Sequence, residues 1–154
     1  MRVAINGFGR IGRSVFRILN SRENVSVVAI NDIADNDAMA YLLKYDTVMG
    51  PFKDSVSLDG DIMKTSNNQI KMVAEREPSL LPWKEMAVDV VIESTGIFRE
   101  KLQLQQHINA GAKRVILTVP SKDGRIMSLA DGLAKALHKY LQAKSHYGLK
   151  AILL

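Results

Sequence analysis

The chain contains no cysteine in its 154 residues. That excludes disulfides, a thiolate metal site and a cysteine nucleophile within this stretch. It also has no secretory h-region and no apolar run approaching the roughly 18 to 20 residues that cross a bilayer, so a soluble, cytoplasmic protein without a membrane partner is expected. Aromatic residues are sparse, with one Trp, four Tyr and four Phe, and they form no aromatic-rich basic motif of the kind that stacks nucleobases. Acidic charge is scarce only at one end: residues 1–120 hold 15 Lys and Arg against 14 Asp and Glu, whereas residues 121–154 hold 6 against 2. The net charge of +5 is thus a basic tail on a near-neutral body, which argues against nucleic acid as a partner. The length suits one ordinary domain and leaves no room for a second full one.

What is present is concentrated at the start. MRVAINGFGRIGR runs from a short apolar strand into Gly7-x-Gly9-x-x-Gly12 and then into a helix-like segment. Gly7 permits the tight turn, Gly9 lets backbone approach a pyrophosphate, and Gly12 lets the helix pack close to the strand. The helix N-terminus then offers N–H groups and a positive dipole end to an anion. Twenty residues beyond Gly12 stands Asp32, which with Asn31 before it closes a second apolar strand at its carboxyl end. A carboxylate there accepts hydrogen bonds from the adenosine ribose and repels a 2′-phosphate, which points to NAD rather than NADP. Taken alone, Asn31 and Asp32 could simply cap a turn; with the glycines, strand and helix in their required order, the nucleotide site is the favoured reading.

The rest of the chain reads as alternating elements. Ile11 to Asn20 is a helix with Ile11, Val15, Ile18 and Leu19 on its apolar face, and Arg10, Arg13 and Arg17 either form a solvated face or bring charge to a phosphate. Asp35 to Lys44 is a second helix, with Asp35 or Asn36 as N-cap and Ala38, Tyr41 and Leu42 turned inward. Period-two patterning from Ser55 to Val73 around an Asp59-Gly60 turn predicts a small antiparallel meander. A loop follows, with Trp83 packed beneath it. Asp89 to Ser94 is a buried strand, Lys101 to Ala110 a polar helix ending at Gly111, and Arg114 to Val119 another strand. Such alternation predicts an α/β fold with a doubly wound parallel sheet, Rossmann-like, carrying the meander as an insertion. Gly7, Asp32, Ser94-Thr95-Gly96 and Thr118-Val119-Pro120 end the parallel strands, and their tips are expected to line one crevice.

NGFGRIGR, IND, REPSLLPW, ESTGIFRE and GAKRVILTVPSKD occur in that order over residues 1 to about 123, and together they strongly resemble the glyceraldehyde-3-phosphate dehydrogenase family. Erythrose-4-phosphate dehydrogenases share much of the pattern, so the parent aldehyde stays open. The resemblance implies a cytoplasmic, tetrameric glycolytic enzyme that oxidises an aldehyde with NAD and phosphate, and hence a homo-oligomer. It implies that Asn6, Phe8, Gly9, Arg10 and Ile11 cradle the pyrophosphate, with Gly7 and Gly12 shaping the turn. Asp32 meets the adenosine ribose, Asn31 stands beside it in the cofactor-binding set, and Arg76 lies beside the adenine. Ser94, Thr95, Gly96 and Phe98 shape the nicotinamide end, with Thr118 next to it.

The family's chemistry uses a cysteine thiolate and a histidine base, with hydride transfer to NAD. This chain has no cysteine, and the family's Ser-Asn-Ala-Ser-Cys-Thr-Thr-Asn segment is absent. His107, His138 and His146 are read as solvent-facing, so no catalytic residue is assigned and turnover of aldehyde by these residues is not expected. Residues 124–154 diverge from the family. Ser128 and Asp131 resemble a capping box, and Leu133, Leu137, Tyr140 and Leu141 predict an amphipathic helix, with Gly148 ending it and an edge strand from Leu149 to Leu154. The reading is an NAD-binding domain at residues 1–123 followed by a tail packed on it; the alternative is an interaction or regulatory module that keeps the fold without the catalysis.

Overall fold

A computed structural model of the chain describes residues 1–122, and the tail features expected at residues 124–154, His138 and His146 included, lie outside the described residues. Met1–Thr118 form one compact unit. In chain order its elements are β1 (Arg2–Asn6), α1 (Arg10–Leu19), β2 (Ser26–Asn31), α2 (Asn36–Lys44), β3 (Ser57–Asp59), β4 (Ile62–Lys64), β5 (Gln69–Val73), β6 (Val90–Glu93), α3 (Lys101–Asn109) and β7 (Arg114–Leu117). A 3-10 turn at Pro78–Leu80 precedes β6.

All seven strands join one sheet in the order β3-β4-β5-β2-β1-β6-β7. The pairs β5·β2, β2·β1, β1·β6 and β6·β7 are parallel, and β3·β4 and β4·β5 are antiparallel. The doubly wound sheet and the meander are therefore both present, and the last meander strand is itself a parallel member beside β2. After β1 the chain first builds outward on one side and later returns to the other with β6. That reversal is a topological switch point, and it leaves a crevice beyond the carboxyl ends of the strands.

Central strands of a parallel sheet are covered on both faces, and Val3–Asn6 and Val27–Asn31 are all buried. Because successive strand residues point to opposite faces, the core divides in two. On one face Val3, Ile5 and Ile30 pack with Phe8, Phe16, Leu43, Met63 and Ile70. On the other Ala4 and Ala29 pack with Leu81, Trp83, Val88 and Val91. Trp83 is fully buried, as its loop position suggested.

Both N-terminal helices present a different face from the one the sequence suggested. In α1 the buried residues are Gly12 and Phe16, with Val15 and Leu19 packed beside them, while Ile11 and Ile18 are exposed. The reason is local: Gly12 sits against the Gly7 carbonyl, closer than any Cβ could, and the residue one turn later on that face is Phe16. In α2, Asp35 is the N-cap and accepts from the Ala38 N–H at 3.0 Å. The helix nevertheless buries Met39, Ala40 and Leu43, and Ala38, Tyr41 and Leu42 are exposed. Tyr41 packs against Tyr45 instead, with ring centres 4.9 Å apart and the planes tilted by 50°. Among neighbouring apolar residues, the surface facing the helix selects which are buried.

Asp54 ties α1 to the meander turn, accepting from Asn20 Nδ2 at 2.8 Å and from the Ser66 hydroxyl. Burial pushes its carboxyl upward, but hydrogen bonds from Ser66, Asn20 and the Ser55 N–H outweigh that and hold it below 3.8. A carboxyl depressed in the folded state adds stability that is present above its unfolded pKa and is lost as pH falls through the folded value. Asp54→Asn is therefore expected to lower the urea midpoint at pH 7, and the gap to the parent chain should narrow as pH falls below 3.8; a pH-independent gap would contradict it.

Candidate nucleotide site

The turn after β1 is built by two close approaches. Gly7 has φ +91°, and a Cβ there would lie 2.6 Å from the Thr95 nitrogen. A side chain is thus excluded both by conformation and by the loop after β6. Gly9 behaves differently: nothing lies within 4 Å of where its Cβ would be. It is the N-cap of α1, with no side-chain cap and no acidic residue in the first turn. The N–H groups at the start of α1 have no intrahelical acceptors, and the dipole end is positive. Open space above Gly9 therefore leads directly to an anion-binding helix end.

A cavity of about 410 Å³ opens beyond the ends of β1, β2 and β6. Of the residues singled out from the sequence, Asn6, Gly7, Gly9, Asn31, Asp32, Arg76, Ser94, Thr95 and Phe98 line it. The other six are placed around it. Arg10 and Ile11 are exposed in the first turn of α1, Gly12 packs behind the turn, and Gly96 is in the loop after β6 with φ +76°. Phe8 is fully buried, its ring edge-on to Phe16 at 5.8 Å. Thr118 donates its hydroxyl to the Glu93 carbonyl at 3.0 Å and fastens the end of β7 to β6. The tips of β1, β2 and β6 thus meet in the crevice, and Thr118 at the β7 tip is not among its lining residues.

Asp32 has a structural task that the spacing did not reveal. One carboxylate oxygen accepts from the Phe8 N–H at 2.6 Å and the other from the Ala34 N–H at 3.0 Å. The acid thereby fixes the glycine turn to the end of β2, and each oxygen keeps a second acceptor position. Asn31 holds the next loop: its Nδ2 donates to the Glu75 carbonyl at 2.8 Å, and its Oδ1 accepts from the Glu75 N–H at 2.8 Å. Ser94 closes the turn from the other side, donating to the Gly7 carbonyl at 2.7 Å. Arg13 donates to the Phe8 carbonyl at 2.9 Å, and Arg17 reaches the carbonyls of Gly50 and Leu43. These two guanidiniums brace backbone, and Arg10 alone of the three is exposed.

Three lining residues carried no sequence assignment: Ile33, Glu75 and Ile97. Ile33 and Ile97 are 58% and 68% exposed, so the cavity has apolar walls beside its polar floor. An isoleucine following the strand-end acid was the available signal for Ile33. Nothing local marks Glu75.

His107, expected to face solvent, is instead inside the domain. It is fully buried, receiving the Trp83 indole N–H on Nδ1 at 3.0 Å and placing Nε2 3.0 Å from a Glu93 carboxylate oxygen. Polar partners satisfy it, and burial of that kind leaves no mark in apolar periodicity. Among the described residues no group of His, Asp and Glu could hold a metal ion, and no helix is long and apolar enough to cross a membrane.

A switch-point crevice, a glycine turn opening an uncapped helix and a carboxylate at the second strand end define a Rossmann-like, dinucleotide-binding class of domain. Within that class, the model described as glyceraldehyde 3-phosphate dehydrogenase, NAD binding domain, matches residues 1–101, and the chain belongs to that family. Similar proteins include the glyceraldehyde-3-phosphate dehydrogenase of Thermotoga maritima, 51% identical over 123 residues, which are 79% of this chain and 37% of the relative. The cytosolic glyceraldehyde-3-phosphate dehydrogenase of Trypanosoma brucei brucei is 49% identical over 123 residues, or 80% of this chain and 37% of the relative. That of Escherichia fergusonii is 49% identical over 127 residues, 82% of this chain and 38% of the relative. The chain thus spans little more than a third of the length of these relatives.

The two glycines separate fold from binding. Gly7→Ala is expected to cost about 2 kcal/mol or more in urea unfolding, from left-handed strain and the Thr95 clash. Gly9→Ala should cost less than about 1 kcal/mol, the usual scale of a cap change. Equal losses would contradict this division.

Proposed function

We propose that the chain binds NAD in the crevice, as the nucleotide half of a phosphorylating glyceraldehyde-3-phosphate dehydrogenase. The observation that carries the proposal is the open space above Gly9 at the uncapped end of α1, with the Asp32 carboxylate at the neighbouring strand end. The backbone at Gly9, Arg10 and Ile11 would hold the pyrophosphate, and the spare acceptor positions of Asp32 the adenosine ribose. Ile33 and Arg76 would border the adenine; Thr95, Gly96 and Phe98 would border the nicotinamide, with Thr118 behind them. Bound NAD supplies a nicotinamide that accepts hydride. These 154 residues contain no cysteine, so they hold no thiol to form the thioester, and turnover of aldehyde by this stretch alone is not proposed.

A cytosolic location and a homo-oligomeric assembly belong to the same proposal. The first is supported by the name of the Trypanosoma relative. The second is supported by the exposed apolar side chains of Tyr41, Tyr45, Val48 and Met49 on and just after α2. The nucleotide domain is taken as residues 1–123, followed by a tail at residues 124–154.

Calorimetric titration tests the proposal. NAD should bind saturably, and Asp32→Asn should weaken it about tenfold, equivalent to about 1.4 kcal/mol, while reducing the preference over NADP. No heat at millimolar NAD would overturn it and favour an interaction module that keeps the fold without the cofactor.

A further inference from the structure

A line of buried hydrogen bonds runs from the Trp83 side of the sheet to the crevice floor. Trp83 Nε1 donates to His107 Nδ1 at 3.0 Å, and His107 Nε2 lies 3.0 Å from Glu93 Oε2. Asn6 Nδ2 donates to that same oxygen at 2.5 Å, and Asn31 Nδ2 donates to Asn6 Oδ1 at 2.6 Å. Trp83, His107 and Glu93 are fully buried, and Asn6 and Asn31 are 1% and 4% exposed. Phe98, which lines the crevice, lies edge-on to the His107 ring at 6.3 Å.

The proton positions along this line follow from its first member. An indole N–H can only donate, so His107 Nδ1 must accept; the ring proton therefore sits on Nε2 and is given to Glu93. The other Glu93 oxygen receives the Thr95 N–H at 2.9 Å and the Thr95 hydroxyl at 2.5 Å. Four donors thus fill the acceptor positions of one carboxylate. At its far end Asn31 grips both the N–H and the carbonyl of Glu75. Asn6, Thr95 and Glu75, three separate pieces of the crevice wall, are held by one line that begins outside the crevice.

A carboxylate and an imidazole are costly core fillers, since apolar residues of similar size fill such space without desolvating charge. What a fully satisfied polar line supplies instead is directional placement of each group it touches. We infer that Glu93 and His107 are positioning residues for the dinucleotide crevice: the Nε2–H form of His107 orients Glu93, and Glu93 sets Asn6 and Thr95 where the ligand meets them. Neither His107 nor Trp83 is among the residues lining the cavity. The inference rests on the proposal that the crevice binds NAD.

The test compares His107→Phe with Val88→Ala, a cavity-forming change among the apolar neighbours of Trp83, by NAD calorimetry and by NMR on the full 154-residue chain. His107→Phe should weaken NAD at least tenfold and shift the Asn6 and Asn31 side-chain amides and the Thr95 backbone amide. Val88→Ala should lower the melting temperature yet keep affinity within twofold and leave those signals in place. Trp83→Phe, which removes the first donor and leaves Glu93 its partner, should weaken NAD about threefold and carries the comparison if His107→Phe does not fold. Affinity in both line variants within twofold of Val88→Ala would overturn the inference. So would an imidazole 15N pattern in the unaltered chain with the proton on Nδ1. If the unaltered chain binds no NAD, the cofactor proposal fails by itself, and the inference is decided by whether His107→Phe, or Trp83→Phe if that does not fold, moves the Asn6, Asn31 and Thr95 signals when Val88→Ala does not.

Discussion

The close approach of the β1–α1 turn to the loop after β6 is the constraint on which the rest of this domain depends. Gly7 passes beneath the Thr95 backbone with no room for a side chain, and Gly12 presses on the Gly7 carbonyl. Together these contacts fix where α1 starts and which way it rolls. They explain why Gly12 and Phe16 face the core and why Ile11 and Ile18 do not. The same contacts aim the open end of α1 over the crevice, so the packing of the core and the geometry of the candidate anion site have one origin.

Around that turn, polar groups perform work usually left to apolar packing. Asp32, Asn31, Ser94 and Arg13 each hold a backbone group of a neighbouring loop. Loops seldom have enough apolar surface to fix themselves, and hydrogen bonds from buried or half-buried side chains are the directional alternative. In consequence Asp32 serves two ends at once: its carboxylate anchors the Phe8 N–H while keeping acceptor positions toward the cavity. A residue chosen for ligand contact by its spacing is also part of the scaffold.

Elements whose signal is local were legible in the sequence. The Gly7-x-Gly9-x-x-Gly12 turn, the Asp59-Gly60 hairpin, the Asp35 cap and the continuous apolar run of β6 each follow from conformational preferences of a few adjacent residues, and each has its expected place. The buried face of α2 is not legible in the sequence, because Met39, Ala40, Leu42 and Leu43 are all apolar enough to be inside; the choice among them depends on what lies opposite. The burial of His107 is hidden in the sequence for a related reason. In a helix of glutamines it looks like one more solvated residue, and only Trp83, 24 positions earlier, and Glu93, 14 positions earlier, make its burial tolerable.

The sequence by itself determined the class of fold and the end of the sheet at which a nucleotide would bind, because those depend on glycine conformation, strand periodicity and a carboxylate at a fixed spacing, and it pointed to the family through the resemblance of its longer motifs. Tertiary structure decided how that end is held: which face of each helix is inside, that Asp32 and Asn31 brace loops, and that Glu93 is reached by donors from β1, from α3 and from the loop after β6. These features join residues up to 88 positions apart, such as Ser94 and Asn6. Their complementarity exists only once the chain has folded, because a hydrogen bond across that separation has no counterpart in local sequence.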